Sequence, residues 1–130
     1  MILFLVALVA IGFVVLRFVP LQDMLPILGA FFAIGFLAVV VAVAPLVEEL
    51  VFRGLLYGWL AGRWGKTVGW IVSSLAFAAA HTEPAHIVLV LPLGLLFGWL
   101  RQRTDSLLPS LVAHIANNGL ALVAAAYLDG

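Results

Sequence analysis

The sequence contains no cysteine, which excludes disulfide bonds and thiolate metal sites. Charged residues are also scarce: they make up 9% of the 130 residues, divided equally between six basic and six acidic side chains. A soluble globular protein carries about a quarter charged residues, so this chain falls outside that class. With a formal net charge of zero and no basic stripe, it also offers no surface that would neutralise the phosphates of a nucleic acid.

Hydrophobic residues dominate instead, at 66% of the chain with a mean hydropathy of +1.29. The apolar runs are continuous and rich in Leu, Ala and Gly, whereas the strands of a membrane barrel alternate apolar and polar residues over about ten positions. We therefore predict one integral membrane domain over residues 1–130. Its fold class is all-α, a polytopic transmembrane bundle of about five or six helices, because a helix satisfies its own backbone groups in lipid.

The predicted helices follow the apolar runs, at residues 2–16, 27–44, 46–61, 68–81, 85–100 and 107–128. The first run has no basic segment before it and no cleavage site after it, so we interpret it as a retained membrane helix rather than a signal peptide. Residues 17–26 and 101–106 are predicted connections. Pro45 leaves two interpretations open: one long kinked helix, or two helices that meet in a tight break.

The basic residues predict the topology. Arg63 with Lys66, and Arg101 with Arg103, mark two connections separated by one pair of helices, so both connections belong on the same side of the membrane. The positive-inside rule makes that side cytoplasmic. Counting about 1.5 Å of rise per residue from these connections places the polar residues of three helices within a slab about 10 Å thick inside the bilayer.

Three of the twelve charged residues fall within six positions, at Glu48, Glu49 and Arg53. An ionisable group at membrane depth is costly and marks a functional site by default. Glu49 and Arg53 are four residues apart and can pair on one helix face. Glu48 points about 100° away from that face, and is then free to act as a general base on a water molecule. The alternative is an ionic bridge between helices with no catalytic role.

Later helices supply three more polar residues at similar depth. His81 ends a predicted helix and could hold the same water, although an interfacial role is equally open. His114 and Asn118 are four residues apart on one helix face, so both could donate hydrogen bonds to one developing oxyanion. The alternative for these two residues is a polar contact between helices, of the kind that joins membrane bundles.

Three motifs in chain order resemble the signature of the CPBP family (CAAX protease and bacteriocin-processing, or Abi) of intramembrane proteases: Glu48-Glu49-x-x-x-Arg53, Phe77-x-x-x-His81 and His114-x-x-x-Asn118. The similarity covers about residues 44–118, which would form the protease core. This family includes the eukaryotic endopeptidase that trims prenylated CAAX proteins. Its members usually carry more N-terminal membrane helices than the one or two predicted here.

The resemblance implies an intramembrane endopeptidase in which Glu48 and His81 activate the attacking water, while His114 and Asn118 stabilise the oxyanion. The Glu49–Arg53 pair would brace the site. No cofactor is favoured, because this mechanism needs no metal. The open alternative is a Zn²⁺ site formed by Glu48, His81 and His114, although no helix carries a His-Glu-x-x-His pair.

The expected partners are the lipid bilayer and a peptide or protein substrate at the membrane, and the sequence leaves open whether that substrate is prenylated. The hydrophobic composition without targeting extensions suits a prokaryotic plasma membrane. A second hypothesis is a non-catalytic bacteriocin self-immunity or membrane scaffold protein that uses the same polar groove. A transporter or proton relay is disfavoured, because the sequence shows neither repeated halves nor paired broken helices.

Overall fold

The computed structural model describes Arg17 and residues 20–128 of the chain. The helix predicted for residues 2–16 lies outside these residues, so the predicted number of helices is tested only in part. Every regular element between residues 20 and 128 is helical, and no strand occurs there, which confirms the all-α class. The chain divides into two compact units, Met1–Leu37 and Ala38–Gly130, which are described separately.

In the first unit, the described residues form helix α1 (Leu21–Ala38), none of whose residues is buried. The helix begins directly after Pro20, whose carbonyl accepts hydrogen bonds from the backbone N–H groups of Asp23 and Met24. The connection predicted at residues 17–26 was therefore too long, because the helix already begins at Leu21. Pro26 lies inside the helix and does not end it.

The second unit begins with a helical path that changes its winding twice. A π-helical segment, π1 (Val39–Val43), is followed by α2 (Ala44–Glu49), by a second π-helical segment, π2 (Leu50–Leu56), and by α3 (Tyr57–Trp64). Pro45 lies in the first turn of α2, and the preceding residue, Ala44, has helical backbone angles (φ −61°, ψ −51°). Of the two interpretations left open at Pro45, the continuous helix is therefore correct.

The widened winding of π1 explains how the helix passes Pro45. A proline ring clashes with the carbonyl four residues earlier in an ordinary α-helix and donates no N–H. In π1 the N–H of Ala44 bonds instead to the carbonyl of Val39, five residues back. The wider turn gives the ring room, at the cost of leaving a nearby carbonyl without its usual backbone donor.

Three further helices complete the second unit: α4 (Lys66–Ala79), α5 (Pro84–Thr104) and α6 (Leu108–Leu128). Gly65 connects α3 to α4 with a φ of +91°, a conformation that favours glycine. Asp105, with a φ of +52°, ends α5, so the predicted polar loop at 101–106 was too long at its start. The helix predicted to reach His81 ends at Ala79 instead, and His81 lies in the turn that follows.

Helices α4 and α5 cross closely because small residues line the crossing. A Cβ added to Gly98 would lie 2.6 Å from Oγ of Ser74. The same Ser74 hydroxyl donates to the carbonyl of Gly94 at 2.9 Å, and the indole N–H of Trp70 donates to the carbonyl of Leu95 at 2.8 Å. Trp70 therefore joins two helices.

Among the described residues, three helical stretches are long and apolar enough to cross a membrane: Leu21–Trp64, Pro84–Thr104 and Leu108–Leu128. The protein is an integral membrane protein. Nζ of Lys66 lies 2.7 Å from Oδ2 of Asp105, so the α3–α4 and α5–α6 connections lie at the same end of the unit, as the basic residues predicted. The hydrogen bond from Lys66 holds the pKa of the Asp105 carboxyl below its usual range, which keeps the pair ionised at neutral pH.

Candidate active site

A cavity of about 360 Å³ lies within the second unit. All four residues predicted to be catalytic line it: Glu48 from α2, His81 from the turn after α4, and His114 and Asn118 from α6. The rest of the wall is mostly apolar or aromatic and comprises Phe77, His86, Leu89, Val90, Leu93, Phe97, Asn117 and Ala121. The structure thus brings together residues that are far apart in the sequence, at a concave site with few polar groups, as small-molecule and peptide sites usually are.

Glu49 and Arg53 form the buried ion pair that their spacing predicted. Nη1 of Arg53 lies 3.4 Å from Oε1 of Glu49, and the two side chains are 0% and 1% exposed. Nη2 of Arg53 also donates to the carbonyl of Gly94 in α5 at 3.0 Å. The guanidinium lies 4.1 Å from the centre of the Phe77 ring, in a cation–π contact. The pair therefore ties α2 and π2 to α4 and α5.

The imidazole of His114 lies between the two adjacent glutamates. Its Nδ1 is 3.1 Å from Oε1 of Glu49, and its Nε2 is 3.4 Å from Oε2 of Glu48. Because an ionised carboxylate only accepts hydrogen bonds, Nδ1 carries the proton that is donated to Glu49. A stacked contact with the Phe97 ring, at 4.7 Å between centres, holds the imidazole plane. His114 is therefore fixed in one orientation, with Nε2 facing Glu48.

His81 presents a second imidazole to the cavity. Its Nδ1 lies 2.9 Å from the carbonyl of Phe77, and since a carbonyl only accepts, Nδ1 must be the donor. Nε2 of the neutral ring is then free to accept a proton. Among the described residues, His81 makes no ion pair with a glutamate, so Glu48 directly contacts His114 and shares only the cavity with His81. His86, which the predicted site did not include, packs edge-on against His81 with ring centres 5.1 Å apart.

Asn118 bonds to a backbone carbonyl that the helix itself leaves free. The carbonyl of Val40 would bond to the N–H of residue 44 or 45, but Ala44 bonds to Val39 and Pro45 has no N–H. Nδ2 of Asn118 donates to this carbonyl at 3.2 Å. One N–H of the Asn118 amide remains for the cavity. Sequence reasoning missed this contact, although a proline inside an apolar run indicates that a carbonyl near it needs another donor.

The residues named for a zinc site do not fit one as they are placed. Glu48, His81 and His114 share the cavity, but within the described part of the chain no three His, Cys, Asp or Glu side chains are grouped to hold a metal ion. Both ring nitrogens of His114 already face carboxylates. We therefore assign no catalytic step to a metal.

Comparison with known proteins gives a consistent set of similarities. A family model described as type II CAAX prenyl endopeptidase Rce1-like matches residues 29–120. The chain is similar to "Putative membrane peptidase YdiL" of Bacillus subtilis (strain 168), at 27% identity over 81 residues, which is 62% of this chain and 33% of that protein. It is also similar to "Membrane-embedded CAAX protease MroQ" of Staphylococcus aureus (strain USA300), at 32% identity over 94 residues, or 68% of this chain and 38% of that protein. No solved structure matches.

The similarities cover a larger share of this chain than of the two bacterial relatives. The family match includes all four residues predicted to be catalytic, from Glu48 to Asn118. In contrast, the matched parts make up only 33% and 38% of the two bacterial relatives. The chain thus spans little more than a third of the length of the proteins it resembles.

Proposed function

This chain belongs to the Rce1-like family of type II CAAX prenyl endopeptidases, and from that membership we propose that it is an intramembrane endopeptidase that hydrolyses a peptide bond with an activated water molecule. The observation that carries the proposal is the convergence of Glu48, His81, His114 and Asn118 on one cavity. Its volume of about 360 Å³ is several times the roughly 30 Å³ that one water molecule occupies in the liquid. A peptide group and the attacking water can therefore occupy the cavity together.

Glu48 and His81 activate the water. The carboxylate of Glu48 and the free Nε2 of His81 are both hydrogen-bond acceptors on the cavity wall. Glu48 takes one proton from the water as its oxygen forms a bond to the substrate carbonyl carbon. When the tetrahedral intermediate collapses, the C–N bond breaks and Glu48 returns that proton to the leaving amine. The products are a carboxylic acid and a free amine, and the enzyme is regenerated.

His114 and Asn118 stabilise the negative charge on the carbonyl oxygen. In its imidazolium form, His114 donates Nδ1–H to Glu49 and presents Nε2–H to Glu48, at the cavity wall. Once Glu48 has accepted the proton of the water, that Nε2–H is released to donate to the carbonyl oxygen. The Glu49 carboxylate stabilises this cation, and Arg53 in turn stabilises Glu49. The second N–H of Asn118 is available to the same oxygen. Donors fixed in advance are effective because they do not reorganise during the reaction.

The apolar part of the cavity wall suits a substrate that enters from the membrane. Leu89, Val90, Leu93 and Ala121 form part of it. MroQ is named as a CAAX protease, so a prenylated CAAX peptide is the first substrate to test. The bacterial relatives support a prokaryotic plasma membrane as the location of the protein.

The decisive experiment compares Glu48→Gln with the wild type in proteoliposomes, using one CAAX peptide with and without a prenyl group. Mass spectrometry of the released peptides identifies the cleaved bond. We expect Glu48→Gln to lose about 10²- to 10⁴-fold in kcat, the usual contribution of a general base, while its circular dichroism stays helical. Glu83→Gln is the matched control, because Glu83 is exposed and caps α5 outside the cavity.

Equal kcat values for Glu48→Gln and the wild type would end the peptidase proposal. If the wild type protects cells against a bacteriocin and Glu48→Gln protects equally well, the groove acts by binding alone. That result would support the self-immunity hypothesis instead.

A further inference from the structure

In the π2 segment, which follows the two glutamates, one backbone carbonyl accepts a hydrogen bond from a side chain of another helix. In an α-helix the N–H of Tyr57 would bond to the carbonyl of Arg53, four residues back. Here it bonds to the carbonyls of Gly54 and Phe52 instead, so it does not pair with the Arg53 carbonyl. Nε of Arg101, at the end of α5, donates to the carbonyl of Arg53 at 3.1 Å. A side chain from another helix thus replaces part of the backbone ladder at this turn.

Arg101 is held in this position by several contacts. Its side chain is only 18% exposed, its guanidinium lies 5.0 Å from the centre of the Tyr57 ring, and its Nη1 lies 3.8 Å from Oδ1 of Asp105. Arg103, two residues later, behaves differently. It is exposed, and its guanidinium lies over Trp99 of its own helix. The two arginines contribute the same charge to the same end of α5, but only Arg101 reaches the helical path that carries the glutamates.

A parallel contact exists on the other side of the glutamates. In π1, the free carbonyl of Val40 is bonded by Asn118 from α6. Both widened segments that flank α2 are therefore tied to a different helix by one side chain. An α-helix turns by about 100° per residue, and a π-helical segment has wider turns. Each such segment therefore changes the direction in which the side chains before and after it point. The directions in which the Glu48 and Glu49 side chains point therefore depend on both segments remaining π-helical.

We propose that Arg101 is a positioning residue of the active site. By holding the carbonyl of Arg53, it fixes the winding of π2, and so keeps the two glutamates on the two ring nitrogens of His114. Its catalytic consequence rests on the proposed peptidase function, whereas its effect on the geometry of His114 does not. Arg101 does not line the cavity, and among its contacts only the hydrogen bond to the Arg53 carbonyl reaches the π2 segment next to the glutamates.

The test replaces Arg101 with Met, which keeps an unbranched side chain but removes every donor. Arg103→Met is the matched control. The chain contains three histidines, so selective ¹⁵N labelling gives one pair of imidazole signals for each of His81, His86 and His114. In Arg101→Met we expect the His114 signals to shift and kcat to fall about 10- to 100-fold, as for a small displacement of catalytic groups, with KM within threefold. Arg103→Met should leave both unchanged.

Unchanged His114 signals in a folded Arg101→Met protein would overturn the proposal. Arg101→Gln provides a second test, because glutamine removes the charge but places an N–H donor where arginine has Nε. We expect its His114 signals to stay closer to the wild type than those of Arg101→Met, and a shift as large as in Arg101→Met would show that the charge rather than the donor matters, against the proposal. If the His114 signals shift as expected but the wild type cleaves no peptide, the positioning role stands and the peptidase function fails.

Discussion

Nε2 of His114 lies 3.4 Å from Oε2 of Glu48, although Glu48 belongs to α2 and His114 to α6. The two side chains lie within ion-pair distance, so a movement of either one changes the surroundings of the other. In the proposed mechanism, this contact supplies a route by which Glu48 as the base and His114 as the oxyanion donor act in sequence. It also makes both residues sensitive to small changes in the helix that carries the glutamates.

Replacing Glu49 with Gln should destabilise the protein severely. The change keeps the shape of the side chain but leaves the buried guanidinium of Arg53 without its charge partner. Breaking a buried ion pair from one side typically costs about 3–5 kcal/mol. Thermal unfolding in one detergent, followed by circular dichroism, would show the loss as a lower Tm. Glu83→Gln, an exposed change of the same kind, should stay within about 0.5 kcal/mol of the wild type.

A Glu49→Gln protein as stable as the wild type would mean that the Phe77 ring and the Gly94 carbonyl alone satisfy Arg53. In that case the Glu49–Arg53 pair does not brace the site through its charge. The activity of the same variant would then report only on the orientation of His114.

Replacing Asn118 with Leu should affect both catalysis and stability. The carbonyl of Val40 loses its side-chain donor, and the loss of one intramolecular hydrogen bond typically costs about 0.5–1.5 kcal/mol. The oxyanion loses one donor as well, a change that typically lowers kcat about 10²- to 10³-fold. Measurements of kcat and of thermal unfolding on the same preparation would separate the two effects.

Pro45 offers a control for the stability part of that prediction. Pro45→Ala restores a backbone N–H that can bond within the helix, so the double variant with Asn118→Leu should regain stability that Asn118→Leu alone loses. Interacting residues typically give coupling energies of about 0.5–3 kcal/mol in such a cycle. Strict additivity would show that Asn118 does not compensate for the missing proline N–H. The kcat of the double variant should stay low, because the oxyanion donor is still absent.

The sequence predicted much of the fold because the physical signals there are strong. Long apolar runs can only be helices in a membrane, and polar residues inside such runs are too costly to be incidental. These two arguments made Glu48, His81, His114 and Asn118 candidates, and the family resemblance implied their roles. All four line one cavity. The spacing of Glu49 and Arg53 similarly predicted their ion pair.

The contacts inside the site could not be predicted in the same way. Counting about 1.5 Å per residue along an α-helix predicts how deep a residue lies in the membrane. It does not predict the direction in which the side chain points once the helix changes from α to π winding. Because π1 and π2 flank the glutamates, the partner of Glu48 could not be identified from spacing. Arg101 was interpreted as a marker of topology, since nothing in the sequence distinguishes an arginine at a loop from one that folds back onto a neighbouring helix.

Replacing Gly98 with Ala should destabilise the crossing of α4 and α5. The new Cβ would lie 2.6 Å from Oγ of Ser74 and 2.7 Å from Cδ1 of Trp70. Neither side chain can move without breaking a hydrogen bond to α5. We expect a loss of about 1–3 kcal/mol, as for other overpacked sites. Thermal unfolding measures it directly.

Gly62→Ala is the matched control for this substitution. A Cβ at Gly62 meets nothing within 4 Å, so the change removes only the helix-destabilising effect of glycine. It should raise stability by up to about 1 kcal/mol. Equal effects of the two substitutions would show that Gly98 is not required for close packing.

The placement of the histidines leads to a last prediction, on metal dependence. A catalytic zinc ion needs three protein ligands and one open position. Glu48, His81 and His114 line one cavity but are not grouped around a common point in the described part of the chain, and Nδ1 and Nε2 of His114 both face glutamates. We therefore expect peptidase activity to survive dialysis against a strong zinc chelator, with kcat within about twofold of the untreated enzyme. Elemental analysis of the same sample measures the zinc that remains. Loss of activity in step with zinc, and its recovery when one equivalent of zinc is returned, would contradict the prediction, because it would mean that His81 and His114 both turn towards Glu48 when the metal binds.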